Sequence, residues 1–234
     1  MQYFGGKFRT RKQLAAFLHG LNRLKPTKYF EPFVGGAWVL QEVKAISRTA
    51  SDGNKSLITL YKHLQNGWIP PENISEEDYS YYKMHKDPTD PMTAFVGFGC
   101  SFGGKWFDGY AKGRPEQPNY AASAKRTLLK QLPLIKDVEF VDGLFHEHNP
   151  TGCLIYCDPP YQGTTNYGAF SGFNHNLFWQ TMRSWSENNT VVISEYAAPD
   201  DFVCVKEMSS LMGMSSDIKG LRLNRIEKLF MLRQ

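Results

Sequence analysis

Apolar residues recur along the chain in seven short runs, each about as long as a β-strand. These runs cover residues 29–33, 45–52, 138–141, 154–157, 190–196, 202–206 and 228–232. Between several of them, apolar residues return at helical spacing, in segments 11–24, 37–45, 56–66 and 176–188. Strands that alternate with helices predict an α/β fold, with a mostly parallel sheet and helices on both of its faces.

Residues 67–135 interrupt this alternation. The segment is rich in Pro, Gly and aromatic residues, and it contains no clear core strand. A segment of this length inside an α/β alternation is typical of an inserted subdomain. We therefore predict a catalytic domain made of residues 1–66 and 136–234, with an insertion at residues 67–135 between its two parts.

The most specific indication of the reaction is the apolar run that is followed by Asp158, Pro159, Pro160 and Tyr161. A buried strand would deliver the Asp158 carboxylate, and the two prolines would then turn the backbone rigidly towards an aromatic ring. An acceptor beside a flat ring suits a planar base with an exocyclic amine, because the ring stacks while Asp158 and the proline carbonyls accept the N–H protons. The alternative interpretation is a strand that ends in a proline turn, with Asp158 as its cap and Tyr161 packed on the surface.

A second candidate site lies near the start of the chain. Residues 30–37 predict a strand, a glycine turn and the start of a helix, an arrangement that lets a ligand approach the backbone and offers N–H donors. Asp52 ends the next apolar run, where nucleotide-binding sheets place an acid that binds ribose hydroxyls. A role as helix cap is the alternative, and it fits Asn54 better than Asp52. Because the GxGxxG pattern is missing, the predicted ligand is a nucleoside derivative rather than NAD or FAD.

Charge and cysteine content narrow the class of protein. The formal net charge is +4, yet residues 1–30 contain seven Lys or Arg and no Asp or Glu, and the C-terminal stretch is also basic. Basic ends that met on one face would attract phosphates. The four cysteines show no CxxC pair and no His at metal-ligand spacing, which predicts buried free thiols and no metal site. No apolar run approaches the roughly 20 residues of a membrane span and no signal peptide is recognisable, so we predict a cytoplasmic protein without membrane contact.

Taken in order, these motifs resemble those of the Dam-type DNA adenine-N6 methyltransferases. The family's aromatic-Gly-Gly-Lys segment, glycine motif, second-strand acid and Asp-Pro-Pro-Tyr motif correspond here to Tyr3-Phe4-Gly5-Gly6-Lys7, Glu31 to Gly36, Asp52 and residues 158–161. Residues 173–175 and 191–196 resemble further blocks of the family. The position of the insertion is similar to that in the subgroup whose target-recognition domain lies between the glycine motif and the catalytic motif.

The resemblance implies a Rossmann-like S-adenosylmethionine-dependent methyltransferase sheet with helices on both faces and a mainly helical target-recognition insertion. It also implies site-specific transfer of a methyl group from S-adenosylmethionine to N6 of an adenine flipped out of double-stranded DNA, without a metal. The implied catalytic residues are Asp158, Pro159, Pro160 and Tyr161. The implied cofactor-binding residues are Tyr3, Gly5, Gly6, Lys7, Glu31, Pro32, Phe33, Gly35, Gly36, Asp52 and Asp158. Such enzymes are encoded by bacteria or phages, and in a restriction–modification system the expected partner is a cognate restriction nuclease.

One position departs from the family pattern. Many relatives carry an acid after the third strand that helps to hold the adenine of the cofactor. In this sequence that position is Leu144, and Asp142 is the candidate replacement.

DNA contacts are expected from the basic N-terminal segment and from the insertion. Guanidinium, amide and hydroxyl groups can read base edges, whereas lysines mostly contact phosphates. The candidates are Lys7, Arg9, Lys105, Lys112, Arg114 and Arg126. We expect Arg114 in particular to contact DNA, since it lies in a loop before Pro115 that cannot be helical. The aromatic residues of the insertion are expected mainly to form its own small core, and they are Phe102, Trp106, Phe107 and Tyr110.

Two classes of alternative remain open from the sequence. Within enzymes, the methyl acceptor could be an RNA adenine, cytosine N4 or a glutamine amide. By family resemblance, cytosine enzymes usually carry Ser and glutamine methylases Asn where this chain has Asp158. The second class is a DNA-binding regulator that keeps the fold without turnover, and the intact Lys7, Asp52, Asp158 and Tyr161 argue against it.

Overall fold

The described residues form one seven-stranded sheet with the order β3-β2-β1-β4-β5-β7-β6. The computed structural model describes residues 1–21, 28–113, 119–162, 172–211 and 224–233. The strands are β1 Lys28–Glu31, β2 Arg48–Asp52, β3 Glu139–Asp142, β4 Cys153–Cys157, β5 Thr190–Glu195, β6 Phe202–Leu211 and β7 Asn224–Leu232. Each of the seven predicted runs therefore contains a strand, with boundaries that differ by a few residues.

The pairing of the strands confirms a mostly parallel sheet. β1 pairs in parallel with β2 and β4, β2 with β3, and β4 with β5. β7 is the exception, because it runs antiparallel to both β5 and β6. The parallel strands therefore end at one common edge of the sheet, where open α/β sheets bind their ligands.

Helices cover both faces of the sheet, as the sequence predicted. The buried side chains form two hydrophobic clusters, one on each side of the sheet. The neighbouring β1 residues Tyr29 and Phe30 point to opposite sides and pack into different clusters. Helices α1 Arg11–Leu21, α2 Lys55–Gln65 and α5 Tyr120–Ile135 bury their apolar residues on the Tyr29 side. Helix α6 His175–Ser186 covers the opposite side with Phe178, Met182 and Trp185.

The segment 67–135 lies between α2 and β3 and contains no strand among its described residues. Besides α5, it forms α3 Glu76–His85, the short α4 Pro91–Ala94, a π-helical turn at Phe95–Gly99 and a 3-10 turn at Phe102–Gly104. Its buried aromatic residues join the same hydrophobic cluster as the sheet, and they are Tyr79, Phe95, Phe98 and Phe107. A separate target-recognition role for this segment stays a prediction.

The helix predicted at residues 37–45 is wrong. After the glycine turn the backbone makes successive turns and one 3-10 turn, Leu40–Glu42, and Val43 is already extended. Ala37 has a φ of 55°, in the left-handed region that L residues rarely adopt, so a right-handed helix cannot start there. The glycine turn is therefore not followed by an α-helix whose first turn would offer donors.

The cysteines differ in burial more than the sequence suggested. All four are free thiols, and Cys100 and Cys157 are buried. Cys153 is half-buried and Cys204 on β6 is exposed, so the prediction of buried thiols is wrong for Cys204.

Candidate active site

Five carboxylates gather where the parallel strands end, and they come from different strands. Glu31 ends β1, Asp52 ends β2, Asp158 follows β4 and Glu195 ends β5. Because β7 runs in the opposite direction, its early residue Glu227 reaches the same edge. Among the described residues, the site is thus strongly acidic at the place where a ligand of an open α/β sheet would lie.

The Asp52 carboxylate accepts hydrogen bonds from backbone N–H groups, one of which belongs to the glycine turn. Its Oδ2 accepts a hydrogen bond from the Gly35 N–H at 2.9 Å, and its Oδ1 accepts one from the Asn54 N–H at 2.9 Å. The Tyr61 hydroxyl donates to the Gly35 carbonyl at 2.7 Å, which fixes the turn from the other side. Burial raises the pKa of Asp52 to about 6, although the two N–H bonds act in the opposite direction.

The two glycine motifs pack against each other. Gly35 has a φ of +45°, and a Cβ at this position would lie 2.7 Å from the Tyr3 ring. A Cβ on Gly36 would lie 2.7 Å from the Trp38 ring, and one on Gly6 would lie 3.0 Å from it. The segment that contains Tyr3 and Gly6 therefore lies directly on the glycine turn, so residues far apart in the sequence form one wall of the site.

Glu31, at the end of β1, is more enclosed than Asp52 at the end of β2. It is 2% exposed, and its Oε2 accepts a hydrogen bond from the Tyr29 hydroxyl at 2.8 Å. Burial raises the pKa of Glu31 well above its usual range, and the charges of Asp158 and Asp52 raise it further. These three carboxylates therefore act on one another. Next to Glu31, Pro32 is buried, while the Phe33 ring packs 5.4 Å from Phe145 between centroids.

Lys7 sits between two carboxylates at the end of β4. Its Nζ lies 2.8 Å from Asp158 Oδ1 and 3.2 Å from Glu227 Oε1. It also donates a hydrogen bond to the Tyr161 hydroxyl at 2.9 Å, and that hydroxyl donates to Glu227 Oε1 at 3.0 Å. One ammonium group thus links Asp158 and Tyr161 to Glu227 on β7.

The charges of this cluster shift one another. Burial raises the pKa of Asp158, the Lys7 ammonium opposes this rise, and the charge of Glu227 adds to it. The pKa of Lys7 lies above its usual range because the charges of Asp158 and Glu227 outweigh the effect of burial. Glu195, which accepts hydrogen bonds from the N–H groups of Gln162 and Tyr196, has its pKa raised by burial to about 7.

The turn after β4 presents Asp158 to the site. Pro159 is buried and Pro160 is half-buried, whereas 19% of the Asp158 side chain remains accessible. The Tyr161 ring meets Tyr196 edge-on, with 4.8 Å between centroids. Asp158 pairs with the Lys7 ammonium of a distant segment, which does not fit the alternative interpretation of Asp158 as the cap of the turn.

The predicted DNA-binding residues fall into separate places. Lys7 is enclosed between Asp158 and Glu227, and its predicted contact with DNA stays a prediction. Arg9, Lys112 and Arg126 are exposed, although Lys112 pairs with Glu76 at 2.8 Å. Lys105 is half-buried, 3.4 Å from Asp108. Arg114 lies outside the described residues.

The aromatic residues of the insertion pack inward with one exception, but into the main hydrophobic cluster rather than into a separate core of the insertion. Phe107 is buried, and Trp106 and Tyr110 pack against the main hydrophobic cluster. Phe102 is 56% exposed and is not part of a core.

The acid expected to hold the cofactor adenine has no clear replacement. Leu144, at the family position, is an exposed residue, and its N–H donates to Glu147 Oε2 at 2.7 Å. Asp142 lies at the surface, where its Oδ2 is 3.3 Å from Lys62 Nζ. A contact of Asp142 with the cofactor stays a prediction.

Sequence reasoning missed Glu227 and Glu195 as members of the site. A signal was present, because Glu227 alternates with Leu229 on the inward face of β7, and a charged residue on a buried face is exceptional.

S-adenosylmethionine fits the chemistry of this edge. Its sulfonium and amino groups are cationic, and the buried acids can balance them, while Asp52 can accept hydrogen bonds from ribose hydroxyls. Tyr29 binds one oxygen of Glu31, and the other oxygen has no hydrogen-bond partner among the described residues. Glu31 thus keeps an acceptor for a ligand.

The strand order and the reversed β7 define a Rossmann-like fold of the kind that S-adenosylmethionine-dependent methyltransferases have. Residues 3–96 match the family model of the D12 class N6 adenine-specific DNA methyltransferases, which confirms the predicted resemblance. The matched range contains the Tyr3–Lys7 segment, the glycine motif and Asp52, and it ends before the Asp158 motif.

The chain is also similar to solved structures of methyltransferases at low identity. A proposed RNA methyltransferase from Pyrococcus horikoshii has a TM-score of 0.48 at 10% identity, over 99% of this chain and 87% of that one. The ribosomal protein L11 methylase from Lactobacillus delbrueckii subsp. bulgaricus has a TM-score of 0.40 at 12% identity, over 100% and 82%. The rRNA methyltransferase AviRa from Streptomyces viridochromogenes has a TM-score of 0.38 at 10% identity, over 94% and 84%. A search of curated proteins gave no significant match.

Two further predictions concern membranes and metals. None of the described helices is long and apolar enough to cross a membrane. Within the same part of the chain, no group of three or more His, Cys, Asp or Glu side chains has an arrangement that could hold a metal ion.

Proposed function

We propose that the protein transfers a methyl group from S-adenosylmethionine to N6 of an adenine in double-stranded DNA. The observation that carries this proposal is the Asp158 carboxylate, held by Lys7 at the end of β4 and still partly accessible beside Pro159. The family match at residues 3–96 supports adenine as the target.

The catalytic turn can activate an exocyclic amine without forming a covalent bond to it. The lone pair of an adenine amine is delocalised into the ring, so the amine is a poor nucleophile. Asp158 and the Pro159 carbonyl accept hydrogen bonds from its two N–H groups and draw the nitrogen towards tetrahedral geometry, which localises the lone pair. When bound, the cofactor supplies an electrophilic methyl group on a cationic sulfur. Most of the acceleration then comes from positioning and from preorganised charges.

The target base has to leave the duplex to reach Asp158. Flipping costs a few kcal/mol, and stacking on an aromatic ring offsets part of this cost. Tyr161 is placed for that stacking role, because its hydroxyl is tied to Lys7 and Glu227 and its ring orientation is thereby set.

Exposed phenylalanines around the site support a nucleic acid as the substrate. Among the described residues, the exposed phenylalanines are Phe4, Phe8 and Phe102. Phe4 and Phe8 flank the segment that carries Lys7, and the Phe4 N–H donates to the Gly104 carbonyl at 3.0 Å, next to the turn of Phe102. Lys105 lies 5.2 Å from the centroid of the Phe4 ring. Aromatic rings beside cations are suited to stacking on bases and contacting phosphates.

DNA contacts by basic residues of the N-terminal segment and of the insertion belong to the same proposal. Arg9, Lys112 and Arg126 are exposed and can contact phosphates, and Arg114 is the proposed base-reading residue. A cognate restriction nuclease is expected only if the enzyme works within a restriction–modification system.

Labelled-methyl transfer tests the function. The purified protein is incubated with S-adenosylmethionine carrying a labelled methyl group and with unmethylated plasmid DNA, the same DNA as single strands, an RNA copy, or a protein extract. We expect label in duplex DNA, recovered as N6-methyladenine after digestion. Label that appears only in RNA or only in protein, or in none of the substrates, contradicts the proposal.

A further inference from the structure

Glu227 is a buried acid with three donors around one of its oxygens. Its Oε1 lies 2.8 Å from Ser194 Oγ, 3.0 Å from the Tyr161 hydroxyl and 3.2 Å from Lys7 Nζ. The side chain is 6% exposed. Each of these donors belongs to the catalytic cluster or touches it, and Glu227 comes from a strand outside the catalytic motif.

The charges of the cluster do not balance one for one. Two carboxylates, Asp158 and Glu227, share the single ammonium group of Lys7. Burying a carboxylate without its own countercharge costs free energy, and a lone Lys7–Asp158 pair would avoid that cost. The second acid is therefore not explained by stability.

We propose that Glu227 is a positioning residue for methyl transfer, which shares Lys7 with Asp158 and so keeps Asp158 a strong acceptor for the target amine. The proposal rests on the function proposed above. It assigns to β7 a part in the reaction that neither the glycine motif nor the Asp158 motif contains.

The physical reason lies in the competition for Lys7. If Glu227 were neutral, Lys7 would neutralise Asp158 alone, and the electron density of the Asp158 oxygens would be drawn towards the ammonium. With Glu227 charged, Lys7 is divided between two acceptors, and Asp158 keeps more negative charge for the N–H groups of the base. Glu227 also accepts from the Tyr161 hydroxyl, which fixes the ring that stacks on the base.

The electrostatics give the proposal a direction that can be measured. The charge of Glu227 raises the pKa of Asp158, so removing that charge lowers it. The groups that act on Asp158 or Glu227 come from every neighbouring element, and they are Tyr3, Lys7, Glu31, Tyr156, Cys157, Tyr161, Ser194 and Glu195. None of these groups is changed by the Glu227→Gln substitution.

The first measurement needs no substrate. Protein labelled with isotopic aspartate is titrated by NMR, and the Asp158 signal is assigned by its loss in Asp158→Asn. In Glu227→Gln, we expect the Asp158 midpoint to move down by about one pH unit. Gln keeps an acceptor oxygen for Ser194, so we expect the fold to persist, as checked by circular dichroism and thermal unfolding. An unchanged or higher midpoint overturns the proposal.

The second measurement uses the reaction. In Glu227→Gln we expect kcat to fall about 10- to 100-fold, with the acid limb of its pH profile moved to lower pH and the Kd for S-adenosylmethionine unchanged within about twofold. Glu207→Gln is the matched control, because Glu207 is an exposed acid of the same hairpin, 3.8 Å from Lys228. Wild-type kcat in Glu227→Gln, or an acid limb that stays in place, contradicts the proposal.

Glu227→Asp provides a second variant. Its carboxylate keeps the charge but lies one methylene further from Lys7, so both kcat and the Asp158 midpoint should fall between wild type and Gln. If Glu227→Gln does not fold, the proposal is tested with Glu227→Asp instead. An Asp158 midpoint at or above the wild-type value in that variant overturns the proposal. If the wild type does not methylate adenine in DNA while the midpoint shifts as expected, the proposed function fails and the effect of Glu227 on Asp158 stands.

Discussion

Asp52 and Asp158 stand at the same edge of the sheet, yet their surroundings differ. Asp52 is held by the backbone N–H groups of Gly35 and Asn54, and no cation among the described residues is bonded to it. Asp158 is held by the Lys7 ammonium, which it shares with Glu227. Burial raises the pKa of both, but only Asp158 is opposed by a lysine.

The difference indicates what each acid is for. Backbone donors fix the orientation of Asp52 rigidly and leave its charge intact, which suits a residue that accepts hydrogen bonds from a ligand. A lysine shared with a second acid makes the charge on Asp158 adjustable, which suits a residue whose partner changes during a reaction. Three predictions test this division between cofactor end and catalytic end.

The largest effect is expected from Asp158→Ala. Methyl transfer should fall by at least about 100-fold, because the acceptor of the target amine is lost. Binding of S-adenosylmethionine should stay within a few-fold, since Asp52 and the glycine turn are untouched. Lys7 retains Glu227 as a partner, so the fold should persist. Single-turnover kinetics and calorimetry measure the two quantities, and a parallel loss of cofactor binding would show that the acids are assigned wrongly.

Asp52→Ala should produce the reverse pattern. Loss of hydrogen bonds to the ribose, together with a loosened Gly35 turn, should weaken cofactor binding by about 1–3 kcal/mol. At saturating cofactor, kcat should change much less than in Asp158→Ala. Calorimetry measures the Kd for S-adenosylmethionine in Asp52→Ala and Asp158→Ala. A wild-type Kd in Asp52→Ala would show that Asp52 does not bind the cofactor.

The smallest effect concerns pH. Asp52 has a pKa of about 6 and binds ribose hydroxyls best when ionised, so cofactor affinity should fall by up to about tenfold per pH unit below pH 6. Glu195, with a pKa of about 7, also titrates nearby, and the Asp52→Ala variant separates the two. The part of the decline centred near pH 6 should be missing in that variant. An identical pH dependence in both proteins would refute the assignment.

The sequence predicted the sheet well because its strands carry local signals. The apolar runs around Phe30, Ile155 and Val192 are short, bounded by turn residues and buried on both faces, which is the pattern of parallel strands. Local signals failed at residues 37–45, where helical spacing competes with a left-handed Ala37 that only the packed glycine turn imposes. The positions of Tyr3 and Trp38 against that turn could not be derived from spacing alone.

The candidate site was predictable where motifs are contiguous and unpredictable where it is assembled from distant strands. Asp158 and Tyr161 belong to one short motif, and Asp52 follows an apolar run. Glu227 enters only because β7 runs antiparallel, and strand direction depends on tertiary packing rather than on local sequence. The sequence predicts contacts of Lys7 with both cofactor and DNA, because its pairing with Glu227 also depends on the direction of β7.

The reversed direction of β7 has a consequence for how the enzyme matures. Lys7 lies near the beginning of the chain and Glu227 near its end, and they meet only when the last strand has entered the sheet. The cluster around Asp158 is therefore complete only after the slow pairing of distant segments, when β7 has joined β5. A fragment that ends before β7 would hold Asp158 without the partner that shares its lysine.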